Sequence, residues 1–161
     1  MNLEPLALMH VFALQRRWDQ PNSGDWANVL AKSPLFTEVS KRRLRKLARK
    51  AKFAEFAPGE PIILAGEPDD LLYIILAGHA KTVSRGDRQV LRAGEYLGEI
   101  ALIDGRPRSA TVVAMSYVQV MKLPASSVLK LARQKPAMTL TMLKHLTTRL
   151  RHLEAQLARS A

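Results

Sequence analysis

The residues with the most chemical potential lie in one stretch, Gly94-Glu95-Tyr96-Leu97-Gly98-Glu99-Ile100-Ala101-Leu102-Ile103-Asp104-Gly105-Arg106-Pro107-Arg108-Ser109-Ala110-Thr111-Val112. Gly98 lets backbone come close to a ligand. Residues 99–103 can close one short helical turn, whose free N–H groups attract an anion. Arg108 follows behind a proline that holds its approach rigid. A guanidinium beside a helix N-terminus favours a phosphate, with two parallel hydrogen bonds available. Glu99 would repel that phosphate unless it accepts hydrogen bonds from another part of the ligand, and a sugar hydroxyl meets that need. Ser109 adds a hydroxyl donor beside the arginine. The chemistry is recognition of a phosphate next to a sugar.

Catalytic and metal chemistries find little support. The chain has no cysteine, which excludes disulfides, thiolate zinc sites, iron–sulfur clusters and cysteine nucleophiles. His10, His79, His145 and His152 show no metal-ligand spacing, and His79 reads as a strand-edge histidine. No Ser–His–Asp grouping stands out, and Asp69-Asp70 reads as a turn between strands. Neither an enzyme nor a metal or other cofactor is expected.

The elements that must position these residues divide the 161-residue chain into three textures. Apolar positions at helical spacing run through residues 3–17, a short helix is expected at 25–32, and an amphipathic helix at 38–51 carries Leu44, Leu47, Ala48 and Ala51 on one face. From Phe53 to Arg106 short apolar pieces alternate with glycine turns, and further strands are expected at 109–114 and 118–123; this is the pattern of a β-sandwich or barrel. Helical periodicity then returns, from Pro124 to Arg133 with Pro124 at a first helical position, and from Pro136 to Arg159. In the last helix Leu143, Leu146, Leu150, Leu153 and Leu157 alternate steps of three and four, a heptad-like seam able to pair with the same helix of another chain. The longest apolar run, Leu71 to Ala77, is too short to span a bilayer. The N-terminal apolar stretch lacks the flanks of a secretory signal, so a cytoplasmic protein is expected.

The cassette resembles the phosphate-binding cassette of the cyclic nucleotide-binding domain family. The matching residues are Leu97-Gly98-Glu99-Ile100-Ala101-Leu102 followed by Pro107-Arg108-Ser109-Ala110-Thr111-Val112. Upstream, Phe56-Ala57-Pro58-Gly59-Glu60, Ala65-Gly66-Glu67 and Tyr73-Ile74-Ile75-Leu76-Ala77-Gly78 also fit the family pattern. The resemblance implies an α+β, mainly β, fold: an eight-stranded, jelly-roll-like β-roll (a double-stranded β-helix) flanked by N-terminal helices and a long C-terminal helix. The expected division is an N-terminal helical extension at 1–24 and the nucleotide-binding domain at 25–161. Within the domain, helices occupy 25–51, the β-roll 52–123 and the C-terminal helices 124–159.

By the same resemblance, Arg108 holds the cyclic phosphate, with Ser109 and the backbone N–H groups near Ala101 and Ala110 as further donors. Glu99, behind Gly98, accepts the ribose 2′-hydroxyl. Ser109 next to the arginine leans toward cAMP over cGMP. The C-terminal helix acts as a lid over the base, through Thr148, Arg149, His152 and Leu153. No aromatic residue lies in residues 124–161, so an aromatic cap from that lid is not expected.

The net charge is +11. Residues 41–52 carry eight basic residues and no acidic one, and residues 106–161 carry ten basic and one acidic. Such basicity invites anionic partners. Two alternatives therefore stand beside the receptor reading: a nucleic-acid-binding protein using Lys41 to Lys52, and a scaffold that kept the fold without the ligand. The family's transcription factors carry a helix-turn-helix after the long helix, and no such segment is expected before Ala161. The receptor is thus expected to signal to a separate effector protein, unless the chain is a fragment, and to be able to form a homodimer through its C-terminal helix.

Overall fold

The computed structural model describes residues 23–83 and 88–160. The helix expected at 3–17 lies outside them. Helix α1 spans Ser23–Ala31, and its Trp26, Ala27 and Leu30 are buried. A single 3-10 turn, Pro34–Phe36, follows, with Pro34 at its start and Leu35 and Phe36 buried completely. Helix α2 covers Lys41–Ala48, shorter than the expected 38–51, and buries Leu44, Leu47 and Ala48.

Eight strands follow: β1 Lys52–Phe56, β2 Pro61–Ile63, β3 Leu71–Ala77, β4 His79–Val83, β5 Val90–Arg92, β6 Tyr96–Leu97, β7 Thr111–Ala114 and β8 Val118–Pro124. They form two four-stranded antiparallel sheets, in the orders β1-β8-β3-β6 and β2-β7-β4-β5. This is the β-roll expected from the resemblance.

Strands β3, β6 and β8 of the first sheet are buried on both faces, while the edge strand β1 is not. Tyr73, Ile75, Val118 and Val120 point between the sheets with Ile62, Ile63, Leu91, Leu97 and Val112. Leu72, Ile74, Met121 and Leu123 point the other way, into a second core with Trp26, Leu30, Phe36, Leu44, Val128 and Met138. Strands covered on both sides read as continuous apolar runs, which is why Leu71 to Ala77 is one. Gly78, at φ +86°, makes the turn from β3 to β4, where any Cβ would collide with the Tyr117 carbonyl.

Between β6 and β7 lies helix α3, Glu99–Asp104. After β8 come α4, Ala125–Gln134, and α5, Pro136–Ser160. Pro124 is not the first helical residue; it ends β8 and caps α4. Met138 and Met142 anchor the first half of α5 in the helical core, and the rest of α5 runs past the mouth of the roll.

Candidate functional site

Arg108 sits on the loop before β7, not on the strand itself. Its backbone is tied at both ends to the turn before β3: Arg108 N–H donates to the Glu67 carbonyl at 3.0 Å, and its own carbonyl accepts from Gly66 N–H at 2.8 Å. The side chain is 4% exposed. Its Nη1 donates to the Gly98 carbonyl at 3.0 Å, and Nη2 donates to the Leu71 carbonyl and lies 2.7 Å from Asp69 Oδ2. The guanidinium carbon stands 5.4 Å from the Tyr73 ring centre. A buried guanidinium needs acceptors, and these supply them. Nε alone is left without a hydrogen-bond partner.

Asp69 is the residue the sequence did not point to. It does make the turn, accepting from Leu71 N–H at 3.1 Å, but its other oxygen also accepts from Tyr73 O–H at 2.7 Å while facing Arg108. Burial, then the Asp69 hydrogen bond and charge, push the Tyr73 phenol well above its ordinary range.

Gly98 caps α3 with φ +94°. The space its missing Cβ leaves is taken by Arg108 Nη1, so the close approach there is made by the arginine. Glu99, the first residue of α3, is 1% exposed. Its Oε1 has no hydrogen-bond partner; Arg149 Nη1 and His145 Nε2, both on α5, stand 3.6 and 3.8 Å away, beyond hydrogen-bonding length. The His145 ring packs on Tyr96 at 4.6 Å. Burial first, and the Glu99 charge second, raise the Tyr96 phenol above its ordinary range.

Two adjoining cavities complete the site. The inner one has a volume of about 30 Å³ and is lined by Gly98, Glu99, Ala101, Arg108, Ser109 and Ala110, with His145 and Arg149 reaching in from α5. The outer one, about 560 Å³, lies between β5 and α5 and is lined by Thr148, Arg149 and His152 among others. Every residue expected at the phosphate and ribose thus meets at one slot, and three of the four expected lid residues line the cavity beside it. Leu153 lines neither. At about 100° per residue, it is turned well away from the stripe of Thr141, His145, Thr148 and His152 that faces the cavity. Tyr96, Gln89 and His145, which sequence reasoning did not single out, line both cavities. A polar residue recurring every three to four positions alongside the leucine seam, at Thr141, His145, Thr148 and His152, was the available signal for His145.

Residues 53–135 match the family described as the cyclic nucleotide-binding domain. The chain belongs to that family. Over 100 residues it is 33% identical to the cAMP-dependent protein kinase regulatory subunit of Hypocrea atroviridis, covering 61% of this chain and 21% of that protein. Over 98 residues it is 38% identical to the cGMP-dependent protein kinase of Toxoplasma gondii, covering 60% of this chain and 10% of that one. The chain therefore spans between a tenth and a quarter of these curated relatives. Among solved structures, the regulatory domain of Toxoplasma gondii PKA with cAMP is similar at a TM-score of 0.68 and 25% identity, over 78% of this chain and 50% of that one. What matches is a regulatory, nucleotide-binding domain. Among the described residues, no helix is long and apolar enough to cross a membrane.

Proposed function

We propose that this cyclic nucleotide-binding domain is a cytoplasmic, non-enzymatic receptor for cAMP, with cGMP the weaker ligand, that signals to a separate effector protein. The observation that carries this reading is Glu99. A carboxylate oxygen that is buried and accepts no hydrogen bond is costly, and this one faces a slot shared with Arg108, Ser109 and the start of α3. A ribose hydroxyl supplies the missing donor, and the cyclic phosphate falls to Arg108 Nε, Ser109 and the N–H groups near Ala101 and Ala110. Ser109, in place of threonine, supports cAMP. The outer cavity is large enough for a base, since ligand pockets start at about 300 Å³.

The mechanism follows from the inner slot. Its volume of about 30 Å³ does not hold a sugar phosphate. His145 and Arg149 must withdraw from Glu99 before the nucleotide enters, and Thr148, Arg149 and His152 then meet the base. Ligand binding and α5 position are thereby linked, and the ligand shifts α5 only by its difference in affinity for the two positions. The seam on α5 supports a homodimer: Leu143, Leu150 and Leu157 are each more than half exposed and spaced at seven residues.

A second reading, a fold retained without its ligand, is favoured by the acceptors already held by Arg108: Asp69 and the Gly98 and Leu71 carbonyls. Isothermal titration of cAMP and cGMP into the protein separates the two. The receptor reading expects binding of cAMP tighter than cGMP, lost in Arg108→Ala. Absence of heat with either nucleotide, in protein shown to have purified without one, establishes the second reading.

A further inference from the structure

A second concave site lies on the far side of the helical core, between α2 and α4. Its cavity measures about 340 Å³ and is lined by Arg43, Lys46, Leu47 and Lys50 from one side and Ser127, Lys130, Leu131 and Gln134 from the other. Arg43, Lys46 and Leu47 share one face of α2, with Lys50 in the turn just after it, and Ser127, Lys130, Leu131 and Gln134 share one face of α4. The two faces run antiparallel: Arg43, at the start of α2, meets Gln134, at the end of α4, and Lys50 meets Ser127 at the opposite end. Arg43 Nη1 donates to Gln134 Oε1 at 3.0 Å, and Lys50 Nζ donates to Ser127 Oγ at 3.1 Å. These two bonds close the ends of the trough, and Lys46 and Lys130 stand between them.

The described polar lining is rich in donors. Lys and Arg have no acceptor atoms. Gln134 Oε1 and Ser127 Oγ each already accept a hydrogen bond from a cation, and an amide N–H₂ and a hydroxyl proton remain to offer. Among the described residues no carboxylate lines the cavity, and neither residues 39–54 nor residues 105–153 contain one. Four cations around one concave space repel one another, and no described lining residue carries an offsetting charge. An acidic helix would need apolar anchors, but Leu47 and Leu131 are 5% and 8% exposed and form a sealed floor. Single-stranded nucleic acid would need an aromatic to stack on, and none lines the trough among the described residues. The volume suits a small ligand.

We infer that this trough binds a compact anion carrying several phosphates, such as an inositol polyphosphate, at a site separate from the cassette. The inference does not depend on the receptor reading. The full chain is titrated with inositol hexakisphosphate and with tripolyphosphate at about 0.15 M salt, where distant surface charges are screened. Lys46→Gln/Lys130→Gln is compared with Arg42→Gln/Arg45→Gln, which removes the same charge from exposed positions of α2 outside the trough. Arg108→Ala serves as the control for the cassette, and melting curves check that each variant folds.

The expected result is binding that weakens about tenfold or more in the trough pair, with little change in the exposed pair or in Arg108→Ala. Vesicles of phosphatidylcholine with phosphatidylinositol 4,5-bisphosphate distinguish the source: capture that the trough pair abolishes assigns a lipid headgroup, and binding in solution alone assigns a free polyphosphate. Equal weakening in both lysine and arginine pairs, loss in Arg108→Ala, binding of duplex DNA only, or no binding at all overturns the inference.

Discussion

Arg108 and Glu99 do different work in the folded protein, and their substitutions separate. Arg108 is knitted to Asp69 and two carbonyls, so Arg108→Ala removes the proposed phosphate contact and also leaves Asp69 facing the site without its cation. Losing one partner of a buried charged pair costs about 2–5 kcal/mol. The expected outcome by calorimetry is a fall in cAMP affinity of roughly 30-fold or more, with a lowered melting temperature. Glu99→Gln keeps the shape and removes a buried charge whose Oε1 faces Arg149 and His145 but accepts no hydrogen bond. A hydrogen bond to a charged group contributes about 1.5–3 kcal/mol, so affinity should drop about tenfold or more while the melting temperature holds or rises. A parallel drop in both quantities would mean that Glu99 serves the fold and not the ligand. Tyr96 makes a third case. Its phenol is raised by burial and by Glu99, and its O–H has no partner. The folded protein therefore holds that proton more tightly than the unfolded chain does. The contribution is fully present below about pH 10, the unfolded value, and is lost as pH rises beyond it. Tyr96→Phe removes this loss at no cost in hydrogen bonds. Melting curves between about pH 8 and 11 should show the variant outlasting the parent at the alkaline end. At this scale the pair Glu99 and Arg108 was legible, because it is local: nine positions apart within one cassette. Asp69 was not, because it lies on a turn 39 positions before Arg108, and the two meet where that turn hydrogen-bonds to the Arg108 backbone through Gly66 and Glu67.

The short helix α3 and the long helix α5 are the elements that make the site. α3 begins at a glycine held at φ +94°, with Arg108 Nη1 where a side chain would stand. The left-handed conformation costs a residue with a Cβ about 1–2 kcal/mol, and the clash adds to this. Gly98→Ala should therefore lower stability by at least that amount in denaturant titration and weaken cAMP binding by displacing the guanidinium. Retention of full affinity would show that Arg108 reaches the phosphate from another position. Most elements could be read from the chain, since glycine turns bracket the strands and heptad spacing marks α5. Two features could not. The 3-10 turn at Pro34–Phe36 is too short to carry a period, and its role comes from burying Leu35 and Phe36 against distant parts of the fold. The rotation of α5 was the other. Of the four residues expected at the lid, Thr148, Arg149 and His152 line the cavity and Leu153 does not, while His145 reaches the slot; Met138 and Met142 anchor the helix in the core in that rotation. Packing at one end of a helix decides what its other end presents.

In the whole molecule, helix α5 carries two chemically different faces. The stripe of Thr141, Lys144, His145, Thr148, Arg149 and His152 turns toward the cavity. Leu143, Leu150 and Leu157, at 55%, 56% and 69% exposure, turn nearly the opposite way. A heptad seam in water gains most by covering itself with another such seam, and a second copy of this chain offers one with matching spacing. Sedimentation equilibrium of the full chain should then give twice the monomer mass, falling to the monomer in Leu143→Glu/Leu150→Glu. Because that seam points away from the cavity, the monomeric variant should bind cAMP within about threefold of the parent, a change worth well under 1.4 kcal/mol. A larger loss would mean that dimerisation itself sets the position of α5 and hence the opening of the slot. The two results lead to different receptors: one in which each domain answers its nucleotide alone, and one in which the partner helix holds the lid.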